Sequence, residues 1–450
     1  MSQPPRQTGV FTQGSILRHV LTMTLTGSIG LTAVFFVDLL SLIWVARLGD
    51  PHITAGVGYA SQIGFFLVSI IIGLIIGVGA LVSRNMGAGD RIAAKRIATS
   101  GLVHIFLINA VVAGLLYPFR EEALMLLGAR DVALSVASQF LAIVLPSNMI
   151  LGVGMALSTI LRAVGDARRS MYVTLGGAIV TSIADPILIL GLGLGANGAA
   201  IATVISRLVF VLVGLNGAVR IHRILAWPER KPTIRDFAPL MAISIPAIVT
   251  NLAPPVANAY SVSVFSRFGE AVVAAYSIID RIIPVAFVVI FAMSGAVGPI
   301  MGQNFGAGRI DRVRETLTRC FQVSAVYAGA MWVLLIVCAP LIVKAFSAEG
   351  ETARLVVFFC TWGGAAWMAL GCLFVANTAF NNLGFAVYST IFNWGRATLG
   401  TIPFVTLGAY LYGPEGAQIG ILAGAAVFGI ASVITAYWAI GRLATRPPSV

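Results

Sequence analysis

Strongly apolar stretches of about twenty residues recur along nearly the whole chain, and they constrain its fold more than any other feature. A helix of that length crosses roughly 30 Å of hydrocarbon, whereas a membrane β-barrel would show short alternating strands. Hydrophobic residues make up 58% of the 450 residues and charged residues only 10%. A water-soluble core stops growing at about 250–300 residues, so much of this apolar surface must face lipid. The sequence predicts an all-α polytopic membrane protein.

The loop charges predict the topology of twelve spans. Short loops rich in lysine and arginine stay in the cytoplasm. Nearly all loop cations fall in one alternate set, around 84–96, 162–169, 220–235 and 309–319, so both termini are predicted to be cytoplasmic. This topology also explains the net charge of +12, which therefore does not indicate nucleic-acid binding. The predicted spans are 16–46, 53–83, 97–118, 131–161, 170–193, 197–219, 237–266, 272–301, 315–344, 353–381, 386–412 and 416–441.

An internal repeat relates the two halves of the chain. The segment RNMGAG at 84–89 is echoed by QNFGAG at 303–308, an offset of 304 − 85 = 219, and the same offset relates Thr159 to Thr378 and Gly165 to Gly384. Six spans follow six, so the halves share one orientation, which predicts a pseudo-two-fold axis along the membrane normal and a cavity between the bundles. We predict an N-terminal lobe at 1–219, a cytoplasmic linker at 220–236 and a C-terminal lobe at 237–450.

Two aspartates inside predicted spans are the first candidates for chemistry, because an ionisable group costs roughly 2.5–3.5 kcal/mol there on insertion scales. Asp38 lies nine residues before Arg47 and is therefore about 13 Å deep by helix rise. Asp185 precedes Pro186, which lacks an amide hydrogen and leaves a carbonyl free. A carboxylate beside such a carbonyl can hold a cation or exchange a proton. The alternative is that each aspartate only ties helices together.

Other embedded residues are candidates for substrate contact. At an offset of 220, Asp38 aligns with the uncharged Asn258, so only the first half keeps an acid there, which favours ion coupling in that half. Arg207 and Arg396 suit inter-helix ties, counter-charges or snorkelling chains. Phe287 and Met293 either line an apolar cavity or pack in the core. The substrate-cleft candidates are Asn258, Asn377, Phe287, Met293 and Arg281.

Several classes of site and activity are not indicated. The four histidines are far apart, so we predict no metal site of the usual type. The four cysteines show no disulfide framework. The chain contains no P-loop and no nucleophile-elbow motif. We expect a protein that is not an enzyme, needs no cofactor and binds no nucleic acid.

The chain resembles the multidrug and toxic compound extrusion transporters, and more closely their DNA-damage-inducible F-type branch. The resemblance covers almost the full chain. It is carried by Val37-Asp38 with Arg47-Leu48-Gly49 after it, LRAVGDARRSM at 161–171, ADPILILGLGLGANGAAIATVIS at 184–206 and GQNFGAG at 302–308. It implies twelve helices in two lobes around a central cleft, alternating access, and efflux of amphipathic, often cationic compounds against entry of protons or sodium.

The resemblance also implies the coupling residues. The family's N-lobe aspartates match Asp38 and Asp185, and the chain has Thr181 and Ser158 where the family often has asparagine. Hydroxyl groups still coordinate cations, though weakly, and we place Thr203 nearby as a further ligand. Sodium at the two aspartates is the alternative to a proton. Relatives coupled to sodium carry C-lobe carboxylates that find a counterpart here only in Asp280, which favours proton coupling.

The sequence therefore predicts an antiporter that exports amphipathic, cationic compounds in exchange for protons. Gly27 and Gly30 stand in the first span where family members carry a proline, so a proline-dependent bend is not expected. We expect a monomer in the cytoplasmic membrane of a prokaryote. The alternative is a lipid-linked glycan flippase of a related fold, for which only Arg207, Arg281 and Arg396 supply cleft cations.

Overall fold

The computed structural model describes residues 9–444, and its regular structure in that range is entirely helical. Eleven helical stretches there are long and apolar enough to cross a membrane. The last one, Ala386–Ala444, has 59 residues, and its backbone is non-helical at Tyr412 and Gly413. It therefore supplies two passes, which brings the number of spans in residues 9–444 to twelve. The predicted all-α polytopic fold is confirmed.

Aspartates begin several helices of the first half. Asp50, Asp90 and Asp166 each accept a hydrogen bond from a backbone N–H in the first turn of the helix that follows. Such caps satisfy amides that have no partner within the helix. The eight helices are α1 (Ile16–Ala46), α2 (Pro51–Gly87), α3 (Arg91–Leu116), α4 (Arg120–Leu126), α5 (Asp131–Val144), α6 (Asn148–Ala163), α7 (Ala167–Pro186) and α8 (Gly195–Leu215).

Several predicted spans are broken in the structure. A 3-10 turn, Leu145–Ser147, divides 131–161, Phe287 divides 272–301, and a π turn, Phe359–Gly363, divides 353–381. The second half contains α9 (Arg230–Phe265), α10 (Glu270–Ala286), α11 (Val288–Gly306), α12 (Ile310–Ala345), α13 (Gly350–Phe358), α14 (Gly364–Leu383), α15 (Ala386–Ala397) and α16 (Ile402–Ala444). Because a π turn extends α8 to Ile221 and α9 begins at Arg230, only 222–229 of the predicted linker is non-helical.

The chain forms two compact units, whose boundaries fall inside α1 and α9. The first unit contains Ile29–Ile248, and the second contains Phe11–Ser28 with the residues from Val249 onward. The start of α9 belongs to the first unit because it packs closely on α2. A Cβ added to Gly73 would lie 2.5 Å from the amide nitrogen of Ile248, so only glycine permits this approach. The predicted lobe limits at 219 and 237 stay a prediction from the repeat.

Each unit has its own apolar core. In the first unit, the core side chains come from α2, α3 and α6, and include Leu74, Leu157 and Ile160, which are at most 1% exposed. In the second unit, Phe265 and Phe287 belong to a cluster formed by α9 to α14.

Residues 11–14 are bound to the end of α11 and the start of α12, all within the second unit. The Phe11 amide donates to Gln303 Oε1 at 2.9 Å, and its carbonyl accepts from Asn304 Nδ2 at 3.2 Å and from an Arg312 nitrogen at 3.0 Å. Phe11 is only 2% exposed. Gln303 and Asn304 belong to the repeated GQNFGAG motif, so this motif fixes the segment that precedes α1.

Candidate functional site

Two carboxyl groups lie near each other in the first unit. Asp38 is exposed on α1, whereas Asp185 on α7 is 1% exposed, and their charges are close enough to interact. The Ser41 hydroxyl donates a hydrogen bond to Asp185 Oδ2. The other oxygen, Oδ1, is buried and accepts no hydrogen bond from any residue in 9–444. The pair therefore presents one carboxylate oxygen that is shielded yet open to a proton or a cation.

Local sequence explains how Asp185 is presented. Pro186 cannot donate an amide hydrogen, so α7 ends there and continues as a π turn, Ile187–Gly191. Such turns are frequent at functional sites. Helix α8 packs directly on this turn, since a Cβ on Gly198 would meet the Leu188 carbonyl at 2.7 Å. The end of α7 is thus held rigidly where the acid is needed.

The three hydroxyl residues predicted to assist the acids differ in position. Thr181 lies one turn before Asp185 on α7, and its hydroxyl donates to the Gly177 carbonyl at 3.0 Å. Thr203 on α8 donates to the Ala199 carbonyl at 2.9 Å, and neither hydroxyl is bonded to an aspartate. Both groups keep lone pairs that a cation could use.

Ser158 does not belong to this site. Its hydroxyl is 2.8 Å from the Ser170 hydroxyl and accepts from Arg162 at 3.3 Å. Ser170 precedes Asp185 by fifteen residues on α7, about 22 Å by helix rise. The prediction that Ser158 assists the acids is therefore wrong, because its hydroxyl joins a network at the far end of the helix.

Sequence reasoning missed Ser41, the one side chain in residues 9–444 that bonds Asp185. A serine in an apolar span usually bonds its own backbone, so it attracts no attention by itself. The available signal was spacing, since Ser41 follows Asp38 by three residues and so shares its helix face. Two polar residues on one face of an apolar helix indicate a polar neighbour.

A polar cluster in the second unit contains Asn258. Its Oδ1 accepts a hydrogen bond from the Tyr276 hydroxyl of α10. The Tyr276 hydroxyl is also within electrostatic range of Asp280 and of Arg396 on α15. Asp280 and Arg281 have exposed side chains. The residue that the repeat aligns with Asp38 is therefore part of a polar group that includes a cation.

Two of the substrate-cleft candidates are wrong. Phe287 and Met293 are both 0% exposed. The Phe287 ring stacks on Trp367 with centroids 4.4 Å apart, so it stabilises the core and has no free face. Asn377 remains a candidate, because its Oδ1 is buried and accepts no hydrogen bond in the described part of the chain.

Arg207 has a structural role. One of its nitrogens donates to the Val144 carbonyl at 2.9 Å and to the Ser147 hydroxyl at 2.7 Å. The amide of Asn148 bonds Leu145 instead of Val144 at the break between α5 and α6, so the Val144 carbonyl needs another donor. The Ser147 hydroxyl at 2.8 Å and Arg207 both supply it, and this arginine is an inter-helix tie.

These features define a polytopic helical membrane protein with two repeated halves and a pair of embedded acids in the first. A family model described as MatE matches residues 28–187 and 246–407, so its two copies are offset by 218 to 220 residues, as the repeat is. The chain belongs to the MatE family, as its resemblance implied. Assignment to the DNA-damage-inducible F-type branch stays a prediction.

Curated relatives are similar over most of their length. The chain is 28% identical over 410 residues to a protein of Shewanella oneidensis named FAD transporter, covering 89% of each chain. It is 25% identical over 352 residues, 77% of each chain, to the multidrug export protein MepA of Staphylococcus haemolyticus.

Solved structures share the fold. An outward-facing multidrug resistance MATE family transporter matches with a TM-score of 0.91 at 21% identity, covering 99% of this chain and 100% of that one. The bent form of the Vibrio cholerae MATE transporter VcmN matches with a TM-score of 0.90 at 24% identity, covering 95% of this chain and 98% of that one.

Proposed function

We propose that the chain is a secondary active antiporter that exports small amphipathic organic compounds, cationic ones included, in exchange for protons by alternating access. One observation carries the proposal: Asp185 has a buried oxygen without a hydrogen-bond partner in residues 9–444, beside the carboxyl of Asp38. Two neighbouring acids in low dielectric resist being charged together, so a proton or another cation stabilises the pair.

The coupling follows from competition for this negative site. A proton that enters binds the acids, while the Ser41 hydroxyl holds Asp185 in place. A substrate cation and a coupling proton cannot both neutralise the pair, so binding of one releases the other and shifts the protein between its two states. Thr181 supplies a hydroxyl one turn from Asp185, and sodium is the alternative ion. The name of the Staphylococcus haemolyticus relative, a multidrug export protein, supports export as the direction.

Transport of ethidium in proteoliposomes tests the proposal. An imposed proton gradient, and then a sodium gradient of equal size, should show that protons drive export by the wild type. Asp38→Asn and Asp185→Asn should abolish it with the fold intact, whereas Glu122→Gln, which changes an exposed acid on α4, should transport normally. Proton-driven export that survives in both aspartate variants would refute the site, and sodium-driven export would refute the coupling ion.

A second candidate function is export of FAD or a related flavin nucleotide. The specific observation is the relative in Shewanella oneidensis named FAD transporter, which is similar over 89% of both chains. The same proteoliposomes loaded with FAD would decide, since the flavin is fluorescent. The flippase alternative is less well supported, because Arg207, one of its three expected cleft cations, is used by Val144 and Ser147.

We further propose that the chain acts as a monomer in the cytoplasmic membrane of a prokaryote, with both termini in the cytoplasm. The loop charges support this orientation. Residues 1–8 and 445–450 lie outside the described part of the chain.

A further inference from the structure

Arg396 lies near the middle of a membrane span. It follows the first residue of α15, Ala386, by ten residues, or about 15 Å of helix rise. The same pass then continues in α16 as far as the interruption at Tyr412. A cation at this depth of a hydrocarbon layer of roughly 30 Å is costly unless something neutralises it or bonds it.

The guanidinium of Arg396 forms no hydrogen bond and no ion pair with any residue in 9–444, and its Nε is fully buried. Arg207, another embedded arginine, uses its side chain to bond Val144 and Ser147. Arginine presents five donors in a planar fork that matches carboxylate and phosphate groups. The Arg396 guanidinium is held in place without an acceptor from the described residues, so it can bind an acceptor group on a ligand.

Tight packing of α15 on α9 fixes the position of Arg396. The Trp394 indole donates to the Val249 carbonyl at 2.9 Å, and Ala397 packs in one cluster with Ala253 and Ala257. These small residues bring the two helices close together. The residues next to this interface, Arg396 on α15 and Asn258 on α9, are thereby held near each other.

Tyr276 connects the two residues. Its hydroxyl donates to Asn258 and is within electrostatic range of Arg396. Asp280 also acts on this hydroxyl, but it forms no salt bridge with Arg396. The cation, the phenol and the amide thus form one polar group on three helices, and Arg396 forms no ion pair with an acid in residues 9–444.

The helix breaks directly after this group. Residues 398–401 are non-helical, and the Thr401 hydroxyl donates to the Arg396 carbonyl at 2.9 Å. Gly400 lies against α16, where a Cβ on Gly424 would meet its carbonyl oxygen at 1.7 Å. Non-helical backbone at membrane depth is tolerated where protein buries it or where it lines a cavity, and discontinuous helices form the substrate sites of many transporters.

We infer that Arg396 binds an anionic group of the exported substrate, a carboxylate or a phosphate, and that the Tyr276 hydroxyl and the Asn258 amide complete the polar part of this site. The inference rests on the proposed export function and adds to its substrates amphipathic compounds that carry an anion. The first unit has the acid Asp38 where the second has Asn258, so the two units offer opposite charges: the acids bind the coupling proton or a substrate cation, and Arg396 binds a substrate anion.

Pairs of ligands that differ only in the anion test this site. Riboflavin and its monophosphate, FMN, share one fluorescent ring system, and a fluoroquinolone acid and its methyl ester provide the carboxylate pair. Binding to the purified, detergent-solubilised full-length chain is measured for the wild type, Arg396→Gln, Arg396→Lys and the control Arg230→Gln, which changes an exposed cation at the start of α9.

We expect the wild type and Arg230→Gln to bind the charged member of at least one pair more tightly than its neutral counterpart. Arg396→Gln should weaken that charged ligand about 10- to 100-fold, the effect of a charge-assisted hydrogen bond, and leave the neutral one unchanged. Arg396→Lys should restore part of the loss because it keeps the charge without the fork. The pair that responds identifies the phosphate or the carboxylate.

Two results would overturn the inference. One is that neither anion binds the wild type more tightly than its neutral partner, and the other is that Arg396→Gln or Arg396→Lys weakens charged and neutral ligands equally. If Arg396→Gln does not fold, the lysine variant alone decides by the same comparison. Proton-driven ethidium export by the wild type separates the two proposals, because it tests Asp38 and Asp185, whereas the binding preference for an anion tests Arg396 without any gradient.

Discussion

Substitutions of Asp166 test quantitatively how residues 222–229, which follow the first half of the chain, are held in place. Its carboxylate accepts from the Arg169 amide at 3.0 Å, which caps α7, and it also bonds the Arg169 side chain. The imidazole nitrogen Nε2 of His222 lies 2.7 Å from the same carboxylate, and Arg91 donates to the His222 carbonyl. One acid thus joins the start of α7 to the non-helical segment 222–229.

Replacing Asp166 removes contributions that can be estimated separately. Loss of the cap costs about 1 kcal/mol, and loss of a charge-assisted bond to the half-buried His222 costs about 1.5–3 kcal/mol. The Arg169 side chain is 41% exposed, so that ion pair adds little. We expect Asp166→Ala to lower the free energy of unfolding by about 2–4 kcal/mol, and Asp166→Asn, which keeps the cap, by about 1–2 kcal/mol.

The pH dependence of this effect has a defined sign. Burial alone would raise the pKa of Asp166, but the bonds from His222 and Arg169 and the charge of Arg169 together hold its pKa below the ordinary value of 3.8. A depressed carboxyl pKa contributes stability that is present above the unfolded value and is lost as the pH falls through the folded value. The wild type and Asp166→Asn should therefore differ at neutral pH and converge below pH 3.8.

Thermal unfolding in detergent and trypsin cleavage after the exposed Arg223 measure the two consequences. Asp166→Ala should unfold at lower temperature and be cut faster, because residues 222–229 lose their anchor. Asp90→Asn is the matched control: Asp90 caps α3 through the Ala93 amide at 2.8 Å, and asparagine keeps that cap. If Asp166→Ala and Asp90→Asn proved equally stable and equally resistant to trypsin, the anchoring argument would be wrong.

Three further substitutions, one of them with a matched control, test the packing. Gly424→Ala should lower the free energy of unfolding by more than about 2 kcal/mol, because the new Cβ would lie 1.7 Å from the Gly400 carbonyl oxygen. Its control, Gly441→Ala, places a Cβ where nothing lies within 4 Å, so the same thermal assay should find it neutral or slightly stabilising. Phe287→Ala should lower the free energy of unfolding by about 3–5 kcal/mol, because Phe287 packs in the core, and should leave ligand binding by the folded fraction unchanged. Loss of ligand binding with unchanged stability would show that Phe287 lines the cleft. Asp236→Ala should lower the free energy of unfolding, measured by chemical denaturation, by about 1–3 kcal/mol, because the buried Ser100 hydroxyl loses its acceptor at 2.9 Å. An unchanged denaturation midpoint would contradict this.

The spans were predictable because hydrophobic length is written directly in the sequence, and α1 begins and ends where it was predicted, at 16 and 46. The breaks inside the spans were predictable only in part. Pro146 is a local signal for the break at Leu145–Ser147, but nothing local shows that the distant Arg207 bonds the Val144 carbonyl there. Such tertiary partners cannot be read from local pattern.

The candidate site was predictable only where charge made it visible. Asp38 and Asp185 stood out because an acid in an apolar stretch is rare. Phe287 and Met293 were assigned to a cleft wrongly, since hydrophobicity is the same for a residue that lines a cavity and one that fills a core. Arg396 was visible as a cation, but that it has no acceptor in residues 9–444, unlike Arg207, required the structure.

The attachment of Phe11 to Gln303 has a consequence for biosynthesis. The two residues are 292 positions apart, so at about 5–20 residues per second the ribosome needs roughly 15–60 s to produce Gln303 after Phe11 has been made. Until then, residues 11–14, which precede α1, have no α11 to bind. Chains that stop early, before α11 is complete, carry an unburied Phe11 and should be recognised by quality-control proteases as unfinished.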